Sequence, residues 1–231
     1  MTKKQVLIKD SDIVVEIKKS PRAKRLSLKL NIAKKNFVLV IPTKVAEERA
    51  FDFLRRNKEW LHKRYEEVED IKTFSDGMTF DFLEKKYVIC HKPEARRGIW
   101  LEENSLMVSG NAEELGIRVE RFLKKEALKF FTAKSYAIAA KLRVNVSSVR
   151  MKDTVSRWGS CSSKNNLNFN WRLGFAPLFV CDYVVAHEVV HLLVRNHSKE
   201  FWDEVRSICP YLKTARFWLK QNGKKLFCYQ T

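Results

Sequence analysis

Apolar residues recur at every second position between Ile13 and Ile41: Leu26, Leu28 and Leu30 alternate with Ser27 and Lys29, then Phe37, Leu39 and Ile41 with Val38 and Val40. A period of two turns successive side chains to opposite faces of an extended chain, so this stretch predicts paired strands. Pro42 ends the second, and Thr43 stands where it can cap a helix from about Val45 to Tyr65, with Phe51, Leu54, Trp60 and Leu61 on its apolar face. Asp76-Gly77 predicts a turn before a strand over Thr79 to Cys90, and a second meander follows through Ile99 to Val108. The period then changes. From Glu113 to Arg143, Val119, Phe122, Leu123, Ala127, Phe130 and Phe131 recur at helical spacing and predict one or two amphipathic helices. Two short strands come next, Val146 to Met151 and Asn166 to Leu173, and Pro177 opens a further helix. The fold class expected is α+β, with a β-rich basic N-terminal region over residues 1–110 and a helical, short-sheet region over 111–231.

Composition narrows this picture. In 231 residues, 45% hydrophobic content with 12% aromatics supplies a buried core, while 7 Gly, 5 Pro and no fixed repeat argue against linkers and solenoids. The opening MTKKQVLIKDSD has no apolar stretch long enough for a signal peptide, and no later run approaches the roughly 18 apolar residues of a membrane span, so a cytoplasmic location with no membrane partner is expected. Cys90, Cys161, Cys181, Cys209 and Cys228 are odd in number and in no C-x-x-C spacing, which predicts reduced thiols, mostly buried. The formal charge is +18, and residues 1–44 carry half of it, with twelve Lys or Arg against Asp10, Asp12 and Glu16. That excess fits either a solvated basic sheet face or a surface for nucleic acid or another polyanion.

The chemistry concentrates in HEVVHLLVRNH, residues 187–197, where three of the chain's five histidines fall. On the helix after Pro177, His187 and His191 lie four residues apart and project from one face, placed to grip one ion, expected to be Zn2+ at one per chain. Glu188 is turned roughly 100° from His187, which keeps it off the ion and lets its carboxylate act as general base on a metal-activated water. A catalytic zinc takes three protein ligands and leaves one position open. His197 is the first candidate for the third, with Glu200 or Glu204 as alternatives; for His197 to return, the chain must leave the helix, and Asn196 tolerates the left-handed backbone of such a reversal. Ser198 can cap the helix that follows. The length also matches metzincins, but Val194 stands where their glycine is needed and no methionine follows Met151, so that assignment is rejected. Cys161 lacks a partnered base and reads as a packed thiol, and Trp158, Ser160 and Cys161 as a tight structural turn. Arg157, Arg172 and Tyr211 are the candidates for stabilising an oxyanion.

RWGSCSSKNNLNFNWRL from Arg157 to Leu173 and DYVVAHEVVHLLVRNHSKEFW from Asp182 to Trp202 resemble the YgjP-like family of predicted metal-dependent hydrolases, related to SprT-like and Wss-type metallopeptidases. More loosely, SPRAKRLSLKL, the VLVIP strand, Glu59-Trp60-Leu61 and Asp76-Gly77 look like that family's N-terminal region. The resemblance implies a small zincin core with an H-E-x-x-H helix packed on a short sheet, His187, His191 and His197 as ligands, and Glu188 as the catalytic residue. It also suggests that the Asn166 to Leu173 strand borders the cleft, where an extended peptide can pair with an exposed edge.

Three functions follow. The leading one is a cytoplasmic zinc metallopeptidase acting on a peptide or protein, in a nucleic-acid setting if the basic half contacts phosphates. A metal-dependent phosphohydrolase acting on a nucleotide or another phosphorylated small molecule would use the same cations, although no P-loop pattern is present. The last is a non-catalytic nucleic-acid-binding module with a structural metal.

Overall fold

The alternation between Ile13 and Ile41 becomes a sheet. The computed structural model describes residues 4–8, 11–31, 34–66 and 70–230. Strands β1 (Lys4–Leu7), β2 (Val14–Ser20), β3 (Ser27–Asn31) and β4 (Asn36–Pro42) lie in the order β1-β2-β4-β3, with β2 and β4 parallel and the other pairs antiparallel. Val15, Ile17, Phe37, Leu39 and Ile41 share one face and are buried with Ala50, Leu54 and Leu61. The helix expected from Val45 to Tyr65 is two, α1 (Glu47–Arg56) and α2 (Lys58–Glu66). Asn57 breaks it: the side-chain amide donates to Phe53 O, sharing an acceptor with its own backbone N–H. Thr43 is not the cap; Ala46 holds that position without a side-chain bond, ahead of Glu47 and Glu48 in the first turn.

The chain forms two compact units, Met1–Lys72 and Thr73–Thr231, with a short strand β5 (Lys72–Thr73) at the division. This differs from a boundary near residue 110. Ile89, Leu106 and Val108 of the meander belong to one core with Leu115, Val119, Phe169 and Val185. The change from strand to helix patterning marks a change of secondary structure inside a shared core, which a periodicity cannot tell from a domain limit.

In the second unit, β6 (Thr79–Phe82), β7 (Lys85–Lys92), β8 (Ile99–Glu102) and β9 (Ser105–Ser109) form a sheet in the order β6-β7-β9-β8. The single strand expected over Thr79 to Cys90 is therefore a hairpin. It turns at Leu83 (φ 52°) and Glu84 (φ 57°), a left-handed pair that usually requires Asn or Gly and costs on the order of 1 kcal/mol per residue. The Leu83 N–H donates to Gly174 O at 2.6 Å and Glu84 Oε1 accepts from Leu178 N–H at 3.2 Å, so the strained turn caps the start of a helix.

Helix α3 (Ala112–Leu142) is continuous and buries Leu115, Val119, Leu123, Ala127 and Phe131, one residue every four. A three-stranded sheet follows, β10 (Ser148–Lys152), β11 (Gly159–Cys161) and β12 (Asn166–Asn170), in the order β10-β12-β11. Strand β12 ends before Leu173 because Asn170 Oδ1 accepts the Arg172 N–H at 2.9 Å and starts a 3-10 turn over Trp171–Phe175. The tight turn expected around Trp158, Ser160 and Cys161 is instead the edge strand β11, antiparallel to β12. Helices α4 (Leu178–Val190), α5 (Lys199–Ile208) and α6 (Leu212–Asn222) complete the layer, and β13 (Tyr229–Gln230) returns so that Phe74 N–H meets Gln230 O at 3.3 Å. The cysteines are free, Cys181, Cys209 and Cys228 buried and Cys90 and Cys161 partly so. Among the described residues, no helix is long and apolar enough to cross a membrane.

Candidate metal centre

Nine residues of α4 are buried, among them Val184, Val185 and Val189, so the helix is fixed on both sides and its last turn presents His187 to the protein surface. His191 is the C-cap, and the next backbone bonds shorten to Leu192 N–H to Val189 O and Leu193 N–H to Val190 O. This tightening lets the chain leave the helix. Asn196 is not in a left-handed conformation, contrary to expectation. Its Oδ1 accepts the Ser198 N–H at 3.2 Å, which bends the chain through a side-chain turn without positive φ. Ser198 Oγ then accepts from Phe201 N–H at 3.4 Å and starts α5, as its position predicts.

His197 lies just ahead of that cap and folds back onto the helix. One ring nitrogen from each of His187, His191 and His197 lies within 4.8 Å of the others, and Glu200 and Glu204 do not join them. The Nε2 atoms of His187 and His197 are 3.1 Å apart. Nitrogens about 2.0–2.1 Å from one tetrahedral ion lie roughly 3.4 Å apart, close to the His187–His197 separation and inside the 4.8 Å that bounds the whole group. His191 Nδ1 is 3.0 Å from Val194 O; a carbonyl only accepts, so Nδ1 carries the proton and Nε2 keeps its lone pair. Phe201 packs at 4.9, 4.5 and 4.8 Å from the three imidazoles, and Trp202 stacks on His197 at 5.6 Å. Burial, followed by the nearby His191, His197 and Arg216, pulls His187 down to about 3; burial also lowers His191, against the Val194 bond. Two neutral imidazoles with converging lone pairs are what a divalent ion requires.

Glu188 is 6% exposed, and burial pushes its carboxyl up to about 7, with Arg157 pulling the other way. What lets it sit there is Gly159. A Cβ on that residue would stand 2.5 Å from Glu188 Oε1 and 2.6 Å from Cγ, so only glycine lets β11 approach this closely.

Strand β11 also offers an open edge. Trp158 O accepts from Asn170 N–H and Ser162 N–H donates to Asn166 O, so these pairs bond inward to β12. An antiparallel ladder alternates, which turns the N–H and C=O groups of Gly159 and Cys161 away from β12. Among the described residues, no strand pairs with that side. The free edge bordering Glu188 is thus β11, while the Asn166 strand is central.

Arg195, between two of the histidines, braces this hairpin. Its guanidinium donates to Cys161 Sγ (3.3 Å), Ser162 O (2.9 Å) and Asn165 Oδ1 (2.5 Å). The Cys161 thiol is raised by burial, against the pull of Arg195, and stays outside the histidine group.

Of the oxyanion candidates, Arg172 is buried, bonded to both oxygens of Asp153 and to Tyr229 O, and is not free to act. Arg157 is exposed and its charge acts on the Glu188 carboxyl, and Tyr211 is exposed at the start of α6. Sequence reading missed Tyr183, whose ring lies 5.9 Å from His187, and Arg216, which stacks 4.7 Å over Trp202. Tyr183 stands one helical turn before His187, a spacing that was available; Arg216 comes from another helix and carried no such signal.

A family model described as the YgjP-like metallopeptidase domain matches residues 25–222, a span that contains Gly159, Glu188 and all three histidines. The chain belongs to the YgjP-like family. This is a metal-dependent peptidase family, and the histidine cluster is a group in this chain that could hold a metal ion. Among solved structures, the chain is similar to the metallopeptidase zymogen jannalysin of Methanocaldococcus jannaschii, with 21% identity, 38% of this chain and 93% of that chain covered, and a TM-score of 0.33. None of the curated proteins matches the chain.

Proposed function

We propose that this YgjP-like protein is a zinc-dependent peptidase in which Glu188 acts as general base. The observation that carries the proposal is the convergence of three imidazole donors beside a buried carboxylate that borders an open strand edge. His187, His191 and His197 fit a zinc ion by donor type and by their grouping, and would hold it through three bonds. When bound, such an ion supplies Lewis acidity, polarising a substrate carbonyl and bringing the pKa of water down to about 7.

The remaining work belongs to the chain. Glu188, raised to about 7, accepts a proton from the attacking water near neutrality and returns it to the leaving amine. The edge of β11 pairs with an extended peptide through the backbone groups of Gly159 and Cys161, which explains why peptide is favoured over other substrates. Phe201 packs against all three imidazoles and Trp202 against His197, which holds the rings in place. A purely structural zinc normally closes with four protein ligands, and three are gathered here among the described residues.

Elemental analysis of the purified protein and of His191→Ala, together with hydrolysis of an unfolded protein by wild type and Glu188→Gln, tests the reading. About one zinc per chain, lost in the His191 variant, and a fall in cleavage on the order of 100- to 10,000-fold in Glu188→Gln with metal retained are expected. Release of phosphate from a nucleotide panel with the same Glu188 dependence, and no proteolysis, would replace the peptidase with a phosphohydrolase.

A further inference from the structure

The sheet that carries the open edge has a second face. On β10 and β12, Val149, Met151, Leu167 and Phe169 turn to the core. The parallel register sets Arg150 beside Asn168 and Lys152 beside Asn170, and the antiparallel one sets Ser160 on the other side of Asn168. The outer face is therefore polar along its whole width.

A cavity of about 240 Å³ opens on this face, lined by Lys152, Arg157, Ser160 and Asn168 among others, with no acidic side chain in its wall. The adjacent Asp153 is occupied by Arg172. Lys152 and Arg157 are exposed and form no ion pair among the described residues. Asn168 Nδ2 donates to Ser160 Oγ at 3.3 Å, so the serine hydroxyl hydrogen is left to donate elsewhere. The Asn170 amide is already committed to Thr154 O and the Arg172 N–H. An ammonium, a guanidinium and a hydroxyl thus line one cavity as donors, a set that suits an oxyanion and is poorly matched to a neutral or cationic group. The volume is several times that of a water and below the roughly 300 Å³ of ordinary small-molecule pockets, which suits a carboxylate or phosphate group.

The cavity is joined to the candidate centre by Gly159, which lines it and also touches Glu188 on the other side of β11. A strand added to the β11 edge turns alternate side chains to opposite faces of the sheet. Those of one parity pass on the Glu188 side; those of the other pass beside Ser160, at the β11 end of the cavity.

We propose that this cavity is an anion subsite that selects acidic side chains, carboxylate or phosphorylated, at alternate positions of an extended substrate. The inference rests on the peptidase reading for its occupant, and it goes beyond that reading in naming a substrate class.

Its test uses full-length, zinc-loaded Glu188→Gln protein and fluorescent ten-residue peptides, each with proline at the same single position so that its missing N–H fixes the parity of the register, measured by anisotropy. One carries Glu at odd positions, one at even positions, one Gln throughout, and one phosphoserine in place of the preferred Glu. One parity of Glu peptide is expected to bind at least about tenfold tighter than the Gln peptide, and the gap to close when Lys152→Gln and Arg157→Gln are added. Phosphoserine binding at least as tightly as Glu would identify a general oxyanion site, and weaker binding a carboxylate site; both support the subsite. Equal binding of both parities would show only the attraction of a +18 chain and overturn it, as would a preference that persists in the double variant. Wild type assayed on the same peptides separates the two ideas. A parity preference without cleavage of any peptide retains the subsite and removes the peptidase, whereas Glu188-dependent cleavage without any preference does the reverse.

Discussion

Gly159 and Glu188 show how much a single missing methyl group decides. Gly159→Ala forces the carboxylate or the strand to move, because the added carbon has no room beside Glu188. A displacement of about 1 Å near the chemistry costs on the order of 100-fold in rate, so peptide cleavage by Gly159→Ala should fall by roughly that factor, with zinc content unchanged by elemental analysis. Loss of the metal as well would mean that the glycine supports the whole centre. Glu188 also links stability to pH in chelator-treated protein. Its carboxyl is raised from 4.5 to about 7 on folding, so the folded state keeps a proton that the unfolded state releases, and stability falls as pH rises through that interval. His187, lowered from 6.5 to about 3, acts oppositely: the unfolded state takes up a proton that the folded state refuses, and stability falls as pH drops from about 6.5 towards 3. Comparing Glu188→Gln with wild type isolates the first effect. In urea titrations the metal-free variant should gain on wild type from pH 5 to pH 8, by up to about 3 kcal/mol. A constant difference would place the carboxylate in water.

Among the secondary-structure elements, the ligand turn and the β11–β12 hairpin are held together by one side chain. Arg195 spans from the segment between His191 and His197 to Cys161, Ser162 and Asn165. Arg195→Ala should cost about 1–3 kcal/mol and accelerate amide hydrogen exchange across Ser162–Asn165, and Arg195→Lys should recover little of it because one ammonium cannot reproduce the planar fork. Unchanged exchange in the alanine variant would show that the hairpin is held by its own ladder. This brace could not be read from the sequence, since Arg195 and Asn165 are 30 residues apart. The same holds for Glu84, which accepts the Leu178 N–H from 94 residues away and makes a left-handed Leu83-Glu84 turn tolerable. Local patterning reads that stretch as one strand because neither residue is a turn former, and the partners that offset the strain are remote.

At the scale of the molecule, the buried apolar side chains among the described residues fall into two clusters. Ile13, Phe37, Leu54 and Leu61 belong to one, and the meander, α3 and the metal-site helices to the other. A chain of residues 73–231 should therefore fold with a cooperative thermal transition and bind about one zinc. An unfolded or metal-free product would show that the basic sheet is needed to complete the catalytic unit, as a division near residue 110 does not anticipate.

The sequence by itself determined the α+β class, the amphipathic α3, the H-E-x-x-H helix, the Ser198 cap and the candidate residues His187, His191, His197 and Glu188. These depend on periodicity and on spacings within a turn or two, where backbone geometry alone sets the distances. Only the tertiary structure decided that His197, rather than Glu200 or Glu204, closes the cluster, that β11 is the free edge, that Arg172 is locked away while Arg157 stays open, and that Gly159 makes room for Glu188. Each of these joins segments distant in the chain, and a contact between distant segments is fixed by how a shared core packs, which no local pattern encodes.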